Sequence, residues 1–174
     1  MPITRFFVII NSISDFSLQY DEPLSLLRVE WASGADMRTF RASVGQLLQL
    51  SQELGVQHLL VDTNTMPDIS VYDQLWLGAN WRPGGLPLPL ARMVLVVPRH
   101  RVHNQLAIDS FIALSRSLIK FDIQFFGTAR SGLQWLCGHS NRLPALLTEW
   151  TALHGPGPAG VAEPRLMYQS RRSQ

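Results

Sequence analysis

The sequence predicts an α/β sandwich: a mixed, mostly parallel sheet with an N-terminal antiparallel hairpin, covering helices, and an extra C-terminal helix. Three observations carry this. From residue 57 onward, short apolar runs alternate with segments of helical period, an order that requires crossover connections between parallel strands. Two of those runs, His58 to Asp62 and Arg92 to Val97, are apolar on both faces, as strands in the middle of a covered sheet are. Ahead of them, two strand-like segments flank Asp21-Glu22-Pro23, a turn-forming cluster that closes a hairpin.

Taken in order, Phe6 to Ile10 reads as a short strand, followed by Leu18 to Tyr20 and Leu26 to Trp31. In the last of these, Leu27, Val29 and Trp31 alternate with Arg28 and Glu30, the period of a strand with one wet face. Asp36 to Leu54 is the clearest helix, with Met37, Phe40, Val44, Leu47 and Leu48 on one stripe. Asp36 suits the positive end of its dipole, and Gly55 sits where a left-handed cap is usual. After the strand His58 to Asp62, a loop from Thr63 to Ile69 leads to a helix opened by Ser70, with Asp73 completing a capping-box-like pair. That helix must stop at or before Pro83. A strand from Arg92 to Val97, a helix from about His103 to Ile119 and a strand from Asp122 to Phe126 follow. Thr128 caps a short helix that ends at Gly138, and Pro144 opens a last amphipathic helix running to Leu153.

Composition narrows the class. The 174 residues are 46% hydrophobic and 16% charged, an ordinary globular balance. A chain of this length buries roughly 70% of its unfolded surface and needs no metal or disulfide staple. The net charge of +2 is supplied by the tail, where Arg165, Arg171 and Arg172 face Glu163. Residues 1–154 are therefore neutral, which argues against a nucleic-acid-binding domain. The single cysteine, Cys137, rules out an intrachain disulfide. No apolar run is long enough for a membrane span or a signal-peptide core, so a cytoplasmic protein is expected. The Pro-, Gly- and Arg-rich segment 155–174 is expected to be disordered.

The hairpin ending in Leu26-Leu27-Arg28-Val29-Glu30-Trp31, the long helix, Leu59-Leu60-Val61-Asp62-Thr63, Ile69 to Trp76, Val94 to Val97, Ile123 to Phe126 and Leu133-Gln134-Trp135-Leu136 together resemble the STAS-like domains. These bacterial domains share the fold of anti-sigma-factor antagonists, and the stand-alone subgroup is the nearest in kind. The resemblance covers roughly residues 16–138 and rests on the order and spacing of elements. It implies a STAS-like domain over 1–138, an appended helix over 139–154, and a regulatory or binding module in place of a catalyst. In the antagonists, a serine at the start of the corresponding helix is phosphorylated; Ser70 is the equivalent by place, although Asp68-Ile69-Ser70-Val71 departs from their Asp-Ser-Ser-Gly type of motif. The fold is also similar to half of the CRAL-TRIO lipid-transfer architecture, which implies room for a small apolar ligand.

Each candidate site has a plainer counterpart. Ser70 is a phospho-switch or simply a helix cap. Asp62, Asp68 and Asp73 lie around the carboxyl end of a central strand, where a hard cation could sit, but their spacing matches no metal motif and no metal is assigned. Arg99, His100, Arg101, His103 and Asn104 form the densest cationic stretch before a helix N-terminus, which is either an anion site or a solvated loop. Tyr72, Trp76 and Trp81 on one short helix, with Trp150 on the last, are candidate interface anchors or core residues. Cys137 reads as packing, and no Gly-x-Ser-x-Gly elbow, Walker loop, dinucleotide fingerprint or His-Glu-x-x-His motif is present. The resulting expectation is a non-enzymatic module without a cofactor, contacting a protein partner or itself through the 70–82 helix, with a homodimer as one form of that contact. The alternative is a binding protein for a small anionic or lipid-like ligand near residues 99–104.

Overall fold

The computed structural model describes residues 7–10, 13–80 and 88–156. Six strands form one sheet: β1 (Phe7–Ile10), β2 (Phe16–Asp21), β3 (Leu26–Trp31), β4 (His58–Asp62), β5 (Arg92–Val96) and β6 (Asp122–Phe126). Their order across the sheet is their order in the chain. β1, β2 and β3 pair antiparallel, and β3 to β6 pair parallel. The helices are α1 (Phe40–Glu53), α2 (Val71–Asn80), α3 (Val102–Ser115), α4 (Ala129–Cys137) and α5 (Leu143–His154). The predicted α/β class, the N-terminal antiparallel strands and the additional last helix are all present.

Because each parallel crossover steps the same way along the sheet, a common right hand places α1, α2 and α3 on one face. There Leu27, Val29, Trp31, Leu59 and Leu95 meet Phe40, Val44 and Leu47 of α1 in the larger core. On the opposite face Leu26, Leu60, Val94 and Val96 meet Leu133 and Leu136 of α4. The approach of α4 is close: a Cβ added to Gly132 would lie 2.5 Å from Cγ1 of Val94 and 3.1 Å from Cδ1 of Leu60.

Several local expectations need correction. α1 begins at Phe40, so Asp36 does not meet its dipole. Asp36 instead accepts the Arg38 backbone N–H at 2.9 Å and pairs with the guanidinium, bonds that hold its carboxyl below the usual range. The start of α1 is tied down by buried Asp15, which accepts from the hydroxyls of Thr39 and Ser43. α3 ends at Ser115, whose carbonyl accepts from Leu118 and Ile119 in a closing turn. Arg28 does not face water: the strand face read as wet is roofed by α5, and Arg28 is 5% exposed. Alternating hydropathy shows which side chains share a face but not whether a later helix covers it. Gly55, with φ +62°, closes α1 in the left-handed conformation expected of it.

Candidate functional site

The segment after β4 leaves the carboxyl end of a parallel strand and is pinned at nearly every peptide. Thr63 bonds the Val96 carbonyl through both its backbone N–H (3.0 Å) and its hydroxyl (2.9 Å). The Asn64 N–H closes a turn onto Oδ1 of Asp62 at 2.9 Å. Met66 and Ile69 are buried as apolar plugs. Asn104 on α3 is 0% exposed; it accepts from the Ile69 N–H at 2.9 Å and donates to the Pro67 carbonyl at 3.1 Å. Nε2 of His103 lies 3.0 Å from the Ile69 carbonyl, which also accepts from Gln74 at 2.9 Å.

These contacts resolve the proposed cationic site into separate parts. Asn104, expected to face a ligand, has its amide engaged inside the protein, and His103 is engaged alongside it. Their role is to fasten the N-terminus of α3 to the loop before α2. Arg101 lies 3.7 Å from the exposed Asp68 carboxylate, while Arg99 and His100 are exposed. Among the described residues no cluster of three His, Cys, Asp or Glu could hold a metal ion. Asp62 is buried, Asp68 pairs with Arg101 and Asp73 pairs with Arg41.

Ser70 is exposed at the head of α2 and caps it. Its Oγ accepts the Asp73 N–H at 3.1 Å and donates to Oδ2 of Asp73 at 2.8 Å. Oδ1 of Asp73 accepts from Nε of Arg41 on α1 at 2.8 Å, so cap and inter-helix tie share one carboxylate. Beyond the cap, α2 buries none of its ten residues. Trp76 and Leu77 lie half-buried against the larger core. Val71, Tyr72 and Leu75 turn outward, 65, 76 and 67% exposed. Of the candidate anchors on this helix, Tyr72 is exposed, while Trp76, one turn further along the same side, is half-buried against the larger core. Trp81 lies outside the described residues.

Trp150 belongs to a different arrangement that the sequence reading missed. It is 6% exposed and stacks on the Arg28 guanidinium, 3.7 Å from ring centroid to Cζ, so it anchors α5 to its own sheet and does not face a partner. Gln19 donates to the Leu146 carbonyl at 3.1 Å and to Glu149 at 2.8 Å, and Arg142 pairs with buried Asp21. Burial lowers the Arg28 pKa to about 10. Burial first, then the neighbouring carboxylate of Asp62, raises Glu30; burial also raises Asp62, opposed by the Asn64 N–H and by Arg28. The sequence signal was present in Arg28, Glu30 and Gln19 alternating along adjacent strands. What it lacked was the return of α5 from more than a hundred residues away.

Cys137 is buried, and its thiol is pushed up to about 11 by that burial and by the Asp21 charge, which leaves it protonated and inert at neutral pH. No helix of the described residues is long and apolar enough to cross a membrane. No family model, curated protein or solved structure matches the chain.

Proposed function

We propose that the chain is a non-enzymatic regulatory or protein-interaction module of STAS-like type, which meets a protein partner or a second copy of itself through α2 and the loops beside it. The observation that supports this reading is the outward face of α2, where Val71, Tyr72 and Leu75 are each about two-thirds or more exposed on a helix held by a rigid loop and cap. Exposed apolar side chains on neighbouring turns of a pinned helix form the kind of patch that marks a contact surface. Val102 and Leu106, 58 and 62% exposed on the first turns of the adjoining α3, belong to the same side of the sheet. The hairpin followed by parallel strand–helix units supports the STAS-like assignment.

Ser70 is where such a contact could be regulated. A phosphoryl group there would meet the Asp73 carboxylate that the hydroxyl now touches at 2.8 Å, and would compete with it for Arg41. Regulation would then act by rearranging the polar contacts at the head of α2.

The experiment is light scattering over a concentration series, joined to chemical cross-linking in extract, for the unchanged chain and for Leu75→Glu. Leu75 is 67% exposed, so the variant is expected to keep its thermal midpoint and lose association. A chain that stays monomeric, with the same cross-linked partners in both forms, overturns the reading.

A further inference from the structure

β6 is the last strand of the sheet and, among the described residues, pairs with β5 alone. The Asp122 N–H bonds the Ala91 carbonyl at 3.1 Å, and the Phe126 carbonyl accepts from the Val97 N–H at 3.1 Å. The N–H and C=O of one strand residue point the same way, so Asp122, Gln124 and Phe126 turn theirs towards β5, and Ile123 and Phe125 turn theirs outward. An open row of such groups is a template for another strand unless the edge is blunted. Here neither proline, lysine nor bulge interrupts the strand, and Phe125 on it is 45% exposed.

The open edge is complementary to itself. Antiparallel pairing about a two-fold axis at Gln124 sets Ile123 opposite Phe125 of the second copy, and Phe125 opposite its Ile123. That register pairs all four outward groups and recruits none from beyond the strand. The side chains of Ile123 and Phe125 share the sheet face of Met93 and Leu95, where an isoleucine directly opposite a phenylalanine is a favourable pair. On the other face Gln124 meets its own equivalent, and a glutamine amide both donates and accepts. Asp122 then stands opposite Phe126 and not opposite a second carboxylate.

The charges of α3 agree with the same axis. α3 connects two parallel strands and so runs antiparallel to β6. Ile112, Arg116 and Ile119 line an open depression together with Phe121 to Gln124, so the stripe they form is the one turned towards the edge. Asp109 lies one turn before Ile112 on that stripe. Asp109 and Arg116 are both exposed, and neither enters an ion pair among the described residues. Rises of about 1.5 Å per helical residue and about 3.3 Å per strand residue put their midpoint, beside Ile112, near the level of Gln124. A two-fold axis there brings Asp109 of each copy opposite Arg116 of the other.

We propose that two copies of this chain join β6 to β6 across a two-fold axis at Gln124, forming one continuous sheet, with Asp109 and Arg116 paired between copies. The surface is separate from Val71, Tyr72 and Leu75 and does not rest on the contact proposed for α2. What Leu75→Glu is expected to lose is the contact through α2; this dimer persists in that variant.

The test is sedimentation equilibrium of the full chain, with amide hydrogen exchange at dilute and concentrated protein. The expected result is a monomer–dimer equilibrium in which the Ile123 and Phe125 amides gain protection as the dimer forms. Phe125→Pro removes an outward N–H that β5 does not use, a place where an edge strand accepts proline, and is expected to leave a folded monomer. Asp109→Arg or Arg116→Asp alone turns two attractive pairs repulsive and should weaken the dimer about tenfold, while the two together restore it. These exposed substitutions keep the test valid should the proline variant fail to fold. A chain that is monomeric at every concentration overturns the proposal, including one whose two amides gain protection only from a segment of another protein. So do a dimer in which those amides stay unprotected, a dimer lost in Leu75→Glu, and single charge reversals without effect.

Discussion

Arg28 holds its charge in a place where hydration is replaced by the face of Trp150, a 3.6 Å ion pair to Glu30, and the more distant carboxylate of Asp62. With its pKa near 10 it remains charged at neutral pH, and the burden of burial passes to the two acids beside it. Both bind protons more tightly in the folded chain than in the unfolded one. Their contribution to stability is therefore full below the ordinary carboxylate range and is lost as pH rises through the raised values. The urea midpoint is expected to fall as pH rises from the ordinary carboxylate range towards neutrality. Asp62→Asn, which keeps an oxygen for the Asn64 N–H, should flatten that slope; an equal slope in the variant would contradict the assignment. Cys137 offers a second check at this scale. Its raised, buried thiol should react with a disulfide reagent at the rate of unfolding, and rapid labelling of the native protein would contradict its packing role. Ser70 and Cys137 were legible in the sequence because their roles are local, a cap and a short amphipathic helix. Arg28 was not, because its environment depends on Trp150.

Among the elements, α2 and α4 make opposite compromises. α4 brings its backbone so near the sheet that Gly132 has no room for a methyl group, since Val94 is a stiff strand residue with no flexible end to yield. Gly132→Ala is expected to cost about 1–3 kcal/mol, as overpacked cores do, read as a lower denaturant midpoint. α2 is held chiefly at its head. Ser70→Ala removes the acceptor for the Asp73 N–H and should cost about 1 kcal/mol, read as a lower denaturant midpoint. Strand and helix positions were legible from periodicity because each element shows its own repeat within a few turns. The sheet-facing side of α2 was harder to read. Val71, Tyr72, Leu75, Trp76 and Leu77 leave apolar side chains on most of its circumference, and only contact with the sheet distinguishes inner from outer.

Across the whole molecule, packing is uneven. The face carrying α4 is closed over Leu60, Val94 and Leu133, all 0% exposed, whereas the face carrying α2 and α3 encloses a cavity and leaves apolar side chains in water. Native-state hydrogen exchange should follow this division. Amides of β4 and β5 are expected to exchange only through global unfolding and those of α2 through local opening; protection of α2 equal to that of β4 would contradict the division. The α/β class and the antiparallel start of the sheet were legible because strand–helix alternation constrains topology strongly. The cavity was not, since it depends on how far apart two helices rest and not on which residues they carry.

The sheet adds its strands strictly in the order of the chain, so a polypeptide leaving the ribosome can lay down each strand beside one already in place, without waiting for distant sequence. The exception is α5, whose bonds to Gln19 and Asp21 span 127 and 121 residues. Until Trp150 emerges, Arg28 and its neighbouring acids remain hydrated on an uncovered strand face. Synthesis of this protein therefore passes through a growing sheet with a charged strip on β2, β3 and the end of β4 beside the apolar ground of α4, and that strip is buried only once α5 has been made.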